Sequence, residues 1–190
     1  MKIHMRLFTS SIMILVLTTA GVNSSFSAEK SSEFKAALAQ MQTMKDDFTG
    51  TTYYKDKSSG KWKNGVRKND FFIYVGAKKG QSPLPVLFVQ HYGGDYLFIK
   101  KVLFNVDGET FQLTPNSDEV WSETGQVNAF ETFDRTMTTT EMSLVKWIIN
   151  SKKTIIRIQG TRLYKDITVT STQKKALARM LTLYKGLGGK

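Results

Sequence analysis

Cysteine is absent from the 190 residues. That excludes a disulfide framework, a thiolate metal site, a cysteine nucleophile and lipid attachment through an N-terminal Cys. Histidine is nearly as scarce, with only His4 and His91. The usual zinc ligand sets therefore cannot be assembled. No Gly-x-x-x-x-Gly-Lys-Ser/Thr phosphate cradle occurs; Gly60 and Gly65 have the spacing, but Val66 and Arg67 follow. There is no Gly-x-Ser-x-Gly elbow and no alternating Asp/Asn register of a calcium loop. Acidic residues are few, 16 against 27 basic, for a net charge of +11. After the N-terminal segment no apolar run reaches the roughly 18 residues of a membrane-spanning helix.

What is present begins with an address. Lys2 and Arg6 form a positive start, and Leu7–Ala20 is apolar with its strongest part at residues 12–17. Small residues follow at Ser24, Ser25, Ser27 and Ala28. Residues 1–28 therefore read as a secretory signal peptide, cleaved near residues 27–28, and the expected location is periplasmic or secreted. Its removal leaves 25 basic residues against 16 acidic. An exported chain without cysteine has to be held by packing alone.

Two further parts follow: an N-terminal helix or arm over residues 29–46, and one domain over residues 47–190. Phe34, Ala37, Leu38, Met41 and Met44 have the spacing of one helix face over 31–46. From Phe48 the pattern turns to strands, with Thr- and Tyr-rich 48–54, Phe71–Ala77, Val86–Tyr92 and a long strand over Tyr96–Val106. Asp107-Gly108 is a two-residue hairpin turn leading back through Glu109–Leu113. Residues 114–128 are looser, and Ala129–Arg135 is a further strand. Thr138-x-x-Glu141 is a capping box opening a helix to about Asn150, and Thr170-x-x-Gln173 opens the last helix. Between them Thr154–Gln159 and Leu163–Thr170 form a hairpin. The expected class is α+β: an antiparallel sheet of about six to eight strands with an N-terminal helix and two helices of the C-terminal half packed on it.

Several segments together resemble an uncharacterised exported bacterial domain family. They are Thr52-Tyr53-Tyr54-Lys55-Asp56, Phe72-Ile73-Tyr74-Val75-Gly76, the run Tyr92–Ile99, Val106-Asp107-Gly108, Ile156–Gly160, Tyr164-Lys165-Asp166 and the Gln173–Tyr184 helix. The resemblance spans roughly residues 46–188 and implies a shared fold and export. Members are often lipoproteins, but this chain lacks the cysteine that anchoring needs. The resemblance brings no catalytic residue with it.

Residues 55–70 are polar, basic and Gly-containing and read as a long loop, and its basic part, residues 55–68, is the strongest functional lead. It holds Lys55, Lys57, Lys61, Lys63, Arg67 and Lys68 against the single acid Asp56, with Trp62 in the middle. Cations interleaved with an aromatic ring can hold phosphates and stack on a sugar, or sit at a membrane interface. The same composition also suits a solvated loop. His91 alternates with Leu87 and Val89, so it sits on or near a core face; its sharper reading is a general base partnered by Asp95 or a nearby Ser. Arg157 interrupts the apolar run 155–158 and should face Asp166 across the hairpin, an anion ligand being the alternative. The expectation is a non-enzymatic binding module of the bacterial cell envelope. Its partner would be a protein or an anionic envelope component, without a cofactor, a metal or a specific nucleic acid. The alternative is an enzyme of unrecognised type using His91 or a carboxylate in a sheet cleft.

Overall fold

A computed structural model describes residues 31–60, 68–123 and 128–190. The expected signal peptide, residues 1–28, lies outside them. The elements are α1 (Ser32–Ala39), β1 (Met41–Asp46), β2 (Thr51–Asp56), β3 (Asp70–Ala77), β4 (Leu84–Gly93), β5 (Lys101–Val106), β6 (Glu109–Leu113), β7 (Val120–Glu123), β8 (Ala129–Thr136), α2 (Thr139–Asn150), β9 (Thr154–Gln159), β10 (Tyr164–Thr168) and α3 (Ser171–Gly186). The class is α+β with antiparallel strands. They are divided between a six-stranded sheet, β1-β2-β3-β4-β8-β7, and a four-stranded sheet, β10-β9-β5-β6.

Alternation of apolar side chains decides which faces meet. Phe71, Ile73 and Val75 of β3 and Leu87 and Val89 of β4 are buried on one face of the large sheet. Val102, Phe104 and Val106 of β5, with Ile156 and Ile158 of β9, do the same for the small sheet. The Phe71 and Phe104 rings meet edge-on at 5.9 Å, so the two inner faces share one core. Helix α3 lies against β2 and β3 and carries α1 and α2 on its other sides. Leu177, Met180 and Leu183 are its buried stripe. Among the described residues no helix is long and apolar enough to cross a membrane.

Both capping boxes form as expected. Glu141 accepts the Thr138 backbone N–H at 2.8 Å, and Gln173 accepts that of Thr170 at 2.9 Å. Asp107 (φ 51°) and Gly108 (φ 99°) make the tight turn between β5 and β6. The left-handed backbone at both positions is what such a turn needs. The Asp107 carboxylate accepts the backbone N–H groups of Lys152 and Lys153 at 3.0 and 2.8 Å, a structural duty. Arg157 and Asp166 stand opposite in the β9–β10 register and make a two-pronged ion pair, both bonds 2.8 Å.

Three expectations require correction. The helix over 31–46 ends at Ala39, and residues 41–46 form β1 paired with β2. The turn from Asp46 to Gly50 explains the switch. The Asp46 carboxylate accepts the Phe48 N–H at 2.9 Å and the Thr49 hydroxyl at 2.7 Å, and Gly50 N–H returns to Asp46 O at 2.8 Å. The long strand over 96–106 begins only at Lys101. Finally, Lys55 and Asp56 are not in a loop, because β2 runs through Asp56.

Candidate functional site

Three arrangements on the described residues bring chemistry-bearing side chains together. The first is what remains describable of the basic segment. Lys61, Trp62, Lys63 and Arg67 lie outside the described residues. Lys55 stands opposite Tyr74 in the sheet register, is 4% exposed, and holds its ammonium 4.8 Å from the Phe72 ring centre. Burial lowers its pKa. Lys57 is exposed and donates to the Ala39 carbonyl at 2.8 Å, tying β2 to the end of α1. Lys68 pairs with Asp70 at 3.3 Å. The three describable lysines thus have different surroundings: one lies in the sheet and two support neighbouring backbone or charge.

The second arrangement is the outer face of the large sheet, opposite Phe71, Ile73 and Val75. Phe72 and Phe88 stack at 4.4 Å, and Tyr74 meets Phe88 at 6.4 Å and Tyr53 at 6.2 Å. Within this aromatic field Asp134 accepts the Tyr74 hydroxyl at 3.3 Å through Oδ2, while its Oδ1 is buried without a hydrogen-bond partner. Burial pushes the Asp134 carboxyl up to about 6, against the opposing hydroxyls of Tyr74 and Thr132. Burial also raises the Tyr74 phenol, helped by the Asp134 charge.

A pH-dependent prediction follows from Asp134. A carboxyl whose folded pKa exceeds its unfolded one favours folding while protonated. That contribution is complete below the ordinary carboxylate pKa and disappears as pH rises through about 6. A displacement of this size corresponds to about 3 kcal/mol at most, and partial solvent access reduces it to about 1 kcal/mol. Asp134→Asn should therefore stabilise the fold by about 1 kcal/mol at pH 7 and by nothing near pH 4. Urea melts of both proteins at the two pH values check this; equal gains at both would refute the buried-charge account.

The third arrangement is a displayed loop, residues 95–100, built from residues far away in the chain. Glu131 on β8 is fully buried, and its carboxylate accepts the backbone N–H of Leu97 at 2.6 Å and of Ile99 at 3.3 Å. His91, opposite Glu131 in the register, places Nε2 2.9 Å from the Asp95 carbonyl. Thr161 N–H donates to Leu97 O at 3.2 Å, and Lys100 N–H to Gln159 O at 2.8 Å. Gly160 permits this approach: a Cβ there would lie 1.7 Å from Leu97 O. Leu97 and Ile99 are buried as anchors, and the residue between them is turned outward. Phe98 has φ 54° and is 62% exposed. That backbone region is rare for a bulky residue and costs energy, so the anchors on either side must enforce it. Tyr96 stacks on Phe98 at 5.9 Å and donates its hydroxyl to Glu123 O.

Next to this loop the β9–β10 turn exposes Leu163 (47%). Tyr96, Phe98, Arg162 and Leu163 line a shallow concavity of about 430 Å³. Arg162 lines it, Lys100, Lys101 and Lys165 are exposed on the same loop and neighbouring strands, and Asp95 is the exposed acid of the loop. Arg162 makes no ion pair among the described residues. Arg157, bound to Asp166, lies 4.0 Å from the Tyr164 ring.

The same geometry shows what the His91 ring contacts. Its Nδ1 lies 3.0 Å from Asn69 Oδ1, which also accepts the Tyr92 N–H at 3.0 Å. The contact with Asp95 is to the backbone carbonyl, not the carboxylate. Both ring nitrogens lie within hydrogen-bond reach of oxygens in two neighbouring segments.

No protein-family model, curated protein or solved structure matches the chain.

Proposed function

We propose that the protein is an exported, non-enzymatic binding module of the cell envelope that engages an anionic component through the surface around Phe98. The observation that carries this reading is the enforced display of Phe98. A buried carboxylate, a buried histidine and a close glycine approach all hold one short loop. The result is an exposed aromatic side chain beside Leu163 and Arg162, with Lys100 and Lys101 exposed in the residues that follow it. Exposed apolar groups rimmed by charge mark interaction surfaces. A loop already held in its bound shape loses little entropy on binding. Cations around it attract an anionic partner and make the contact sensitive to salt.

The test is binding of the purified protein to anionic polymers and to vesicles containing anionic lipid, across 50–200 mM salt. One variant combines Phe98→Asn, Arg162→Ser and Leu163→Ser; asparagine is chosen because it tolerates the left-handed backbone. A second variant neutralises Lys61, Lys63, Arg67 and Lys68. Binding should weaken steeply with salt and fall at least tenfold in the first variant. Loss confined to the second variant would move the contact to the basic segment and overturn the Phe98 assignment. Absence of binding in every arm would overturn the anionic-ligand reading.

A further inference from the structure

The groove between α2 and α3 lies apart from the Phe98 loop and is lined by different residues. Its volume is about 480 Å³, within the range of small-molecule sites. Its apolar lining is the buried Met137, which follows β8, with Met142 from α2 and Leu181 and Tyr184 from α3, these three partly buried. Methionine is unbranched and adapts to flexible apolar guests. Lys146 and Lys185 stand exposed at the rim, and no acidic side chain is among the lining residues. The nearest carboxylate on α2, Glu141, is occupied by the Thr138 N–H and lies 3.9 Å from Arg135.

Thr138, Thr139 and Ser143 add hydroxyls to the lining, Lys190 is a third lysine there, and the Tyr184 hydroxyl donates to the Lys190 carbonyl at 3.2 Å. A groove with apolar walls and lysines as its only charged side chains fits a molecule with one apolar part and one anionic end. The size separates the candidates. One turn of an α-helix about 10 Å across fills roughly 420 Å³, so a helical partner would seat only about one turn here. A flexible hydrocarbon chain can follow the trough and leave its charged end at the rim. We infer that the α2–α3 groove binds a long-chain carboxylate, with the chain along Met142 and Leu181 and the head group between Lys146 and Lys185.

Sodium myristate, kept below its micelle concentration, would be titrated into the purified full chain by calorimetry, with acetate and a non-ionic detergent of equal chain length as controls. Saturable one-site binding is expected for myristate, none for acetate, and binding at least tenfold weaker for the detergent. The Lys146→Gln/Lys185→Gln variant should bind myristate at least tenfold more weakly while unfolding at the wild-type temperature. Met142→Trp, which fills the trough, should do the same to the apolar half of the contact. The Phe98→Asn variant should bind myristate as the wild type does, which separates this site from the surface proposed above. No saturable binding, binding unchanged in the two groove variants, or equal affinity for the uncharged detergent would overturn the inference.

Discussion

Replacing Glu131 by alanine should cost about 3 kcal/mol of stability and loosen the loop that displays Phe98. The carboxylate is fully buried and takes two backbone N–H groups, those of Leu97 and Ile99. Each buried donor left unpaired costs about 1–3 kcal/mol, and the removed side chain leaves a void beside them. Relief from burying a charge offsets part of this, which keeps the total near the lower end of the summed range. Denaturant unfolding reads the stability, and amide hydrogen exchange at Leu97 and Ile99 reads the local opening. Glu131→Gln should lose less, since one oxygen can still accept. A loss under 1 kcal/mol for the alanine variant would show that the loop stands without its carboxylate. If the loss is as expected, the same variant should also weaken any contact made through Phe98, because the displayed conformation would no longer be prepaid.

The second large effect is expected at Asp56, where the sign of the pH dependence is opposite to that of Asp134. Asp56 closes β2, is 1% exposed, and accepts Arg179 Nε at 2.7 Å and a second guanidinium nitrogen at 3.0 Å. Its Oδ1 also accepts the Ser58 N–H at 2.9 Å. Burial alone would raise this carboxyl, but the bonds from Arg179 and Ser58 outweigh it and hold the pKa below the ordinary value. A lowered folded pKa stabilises the fold above the ordinary carboxylate pKa, and that stability is lost as pH falls through the lowered one. Asp56→Asn should thus destabilise by about 2 kcal/mol at pH 7, the scale of a hydrogen-bonded charge. The gap between wild type and variant should close under strongly acidic conditions. A gap that stays constant from pH 7 to pH 2 would mean that shape, not charge, makes the contact. The ion pair also joins α3 to the strand that carries Lys55, so its loss should be felt in the packing of that helix on the large sheet.

Local chemistry was legible in the chain wherever the interacting groups are close in sequence. The two capping boxes need residues three apart, the Asp107-Gly108 turn needs two adjacent residues, and Arg157 meets Asp166 across a short hairpin. The α+β class followed from those elements and from the period-two runs between them. Misreadings occurred where one pattern served two structures. Phe34, Ala37 and Met41 are buried as a helix face would have them, yet Leu38 and Met44 are exposed and the chain turns to a strand at Met41. The turn at Asp46–Gly50 carried the missing signal, since an Asp–Thr–Gly cluster closes a hairpin as readily as it ends a helix.

The candidate site was least legible because its parts come from distant segments. Within the apolar pattern of residues 96–106 nothing marks Phe98 as exposed; a carboxylate 34 residues away takes the N–H groups that a strand partner would have taken. Within the basic segment nothing marks Lys55 as buried; its place in the register opposite Tyr74 does that.

By itself, then, the sequence determined the local elements, the absence of every cysteine-based chemistry and the excess of positive charge. Tertiary structure alone decided the split into two sheets, the burial of Glu131 and Lys55, and the outward turn of Phe98. The physical reason is that a cap or a tight turn is satisfied within a few residues, whereas the faces that meet, and the polar groups they bury, are chosen by the lowest free energy of the whole packed chain.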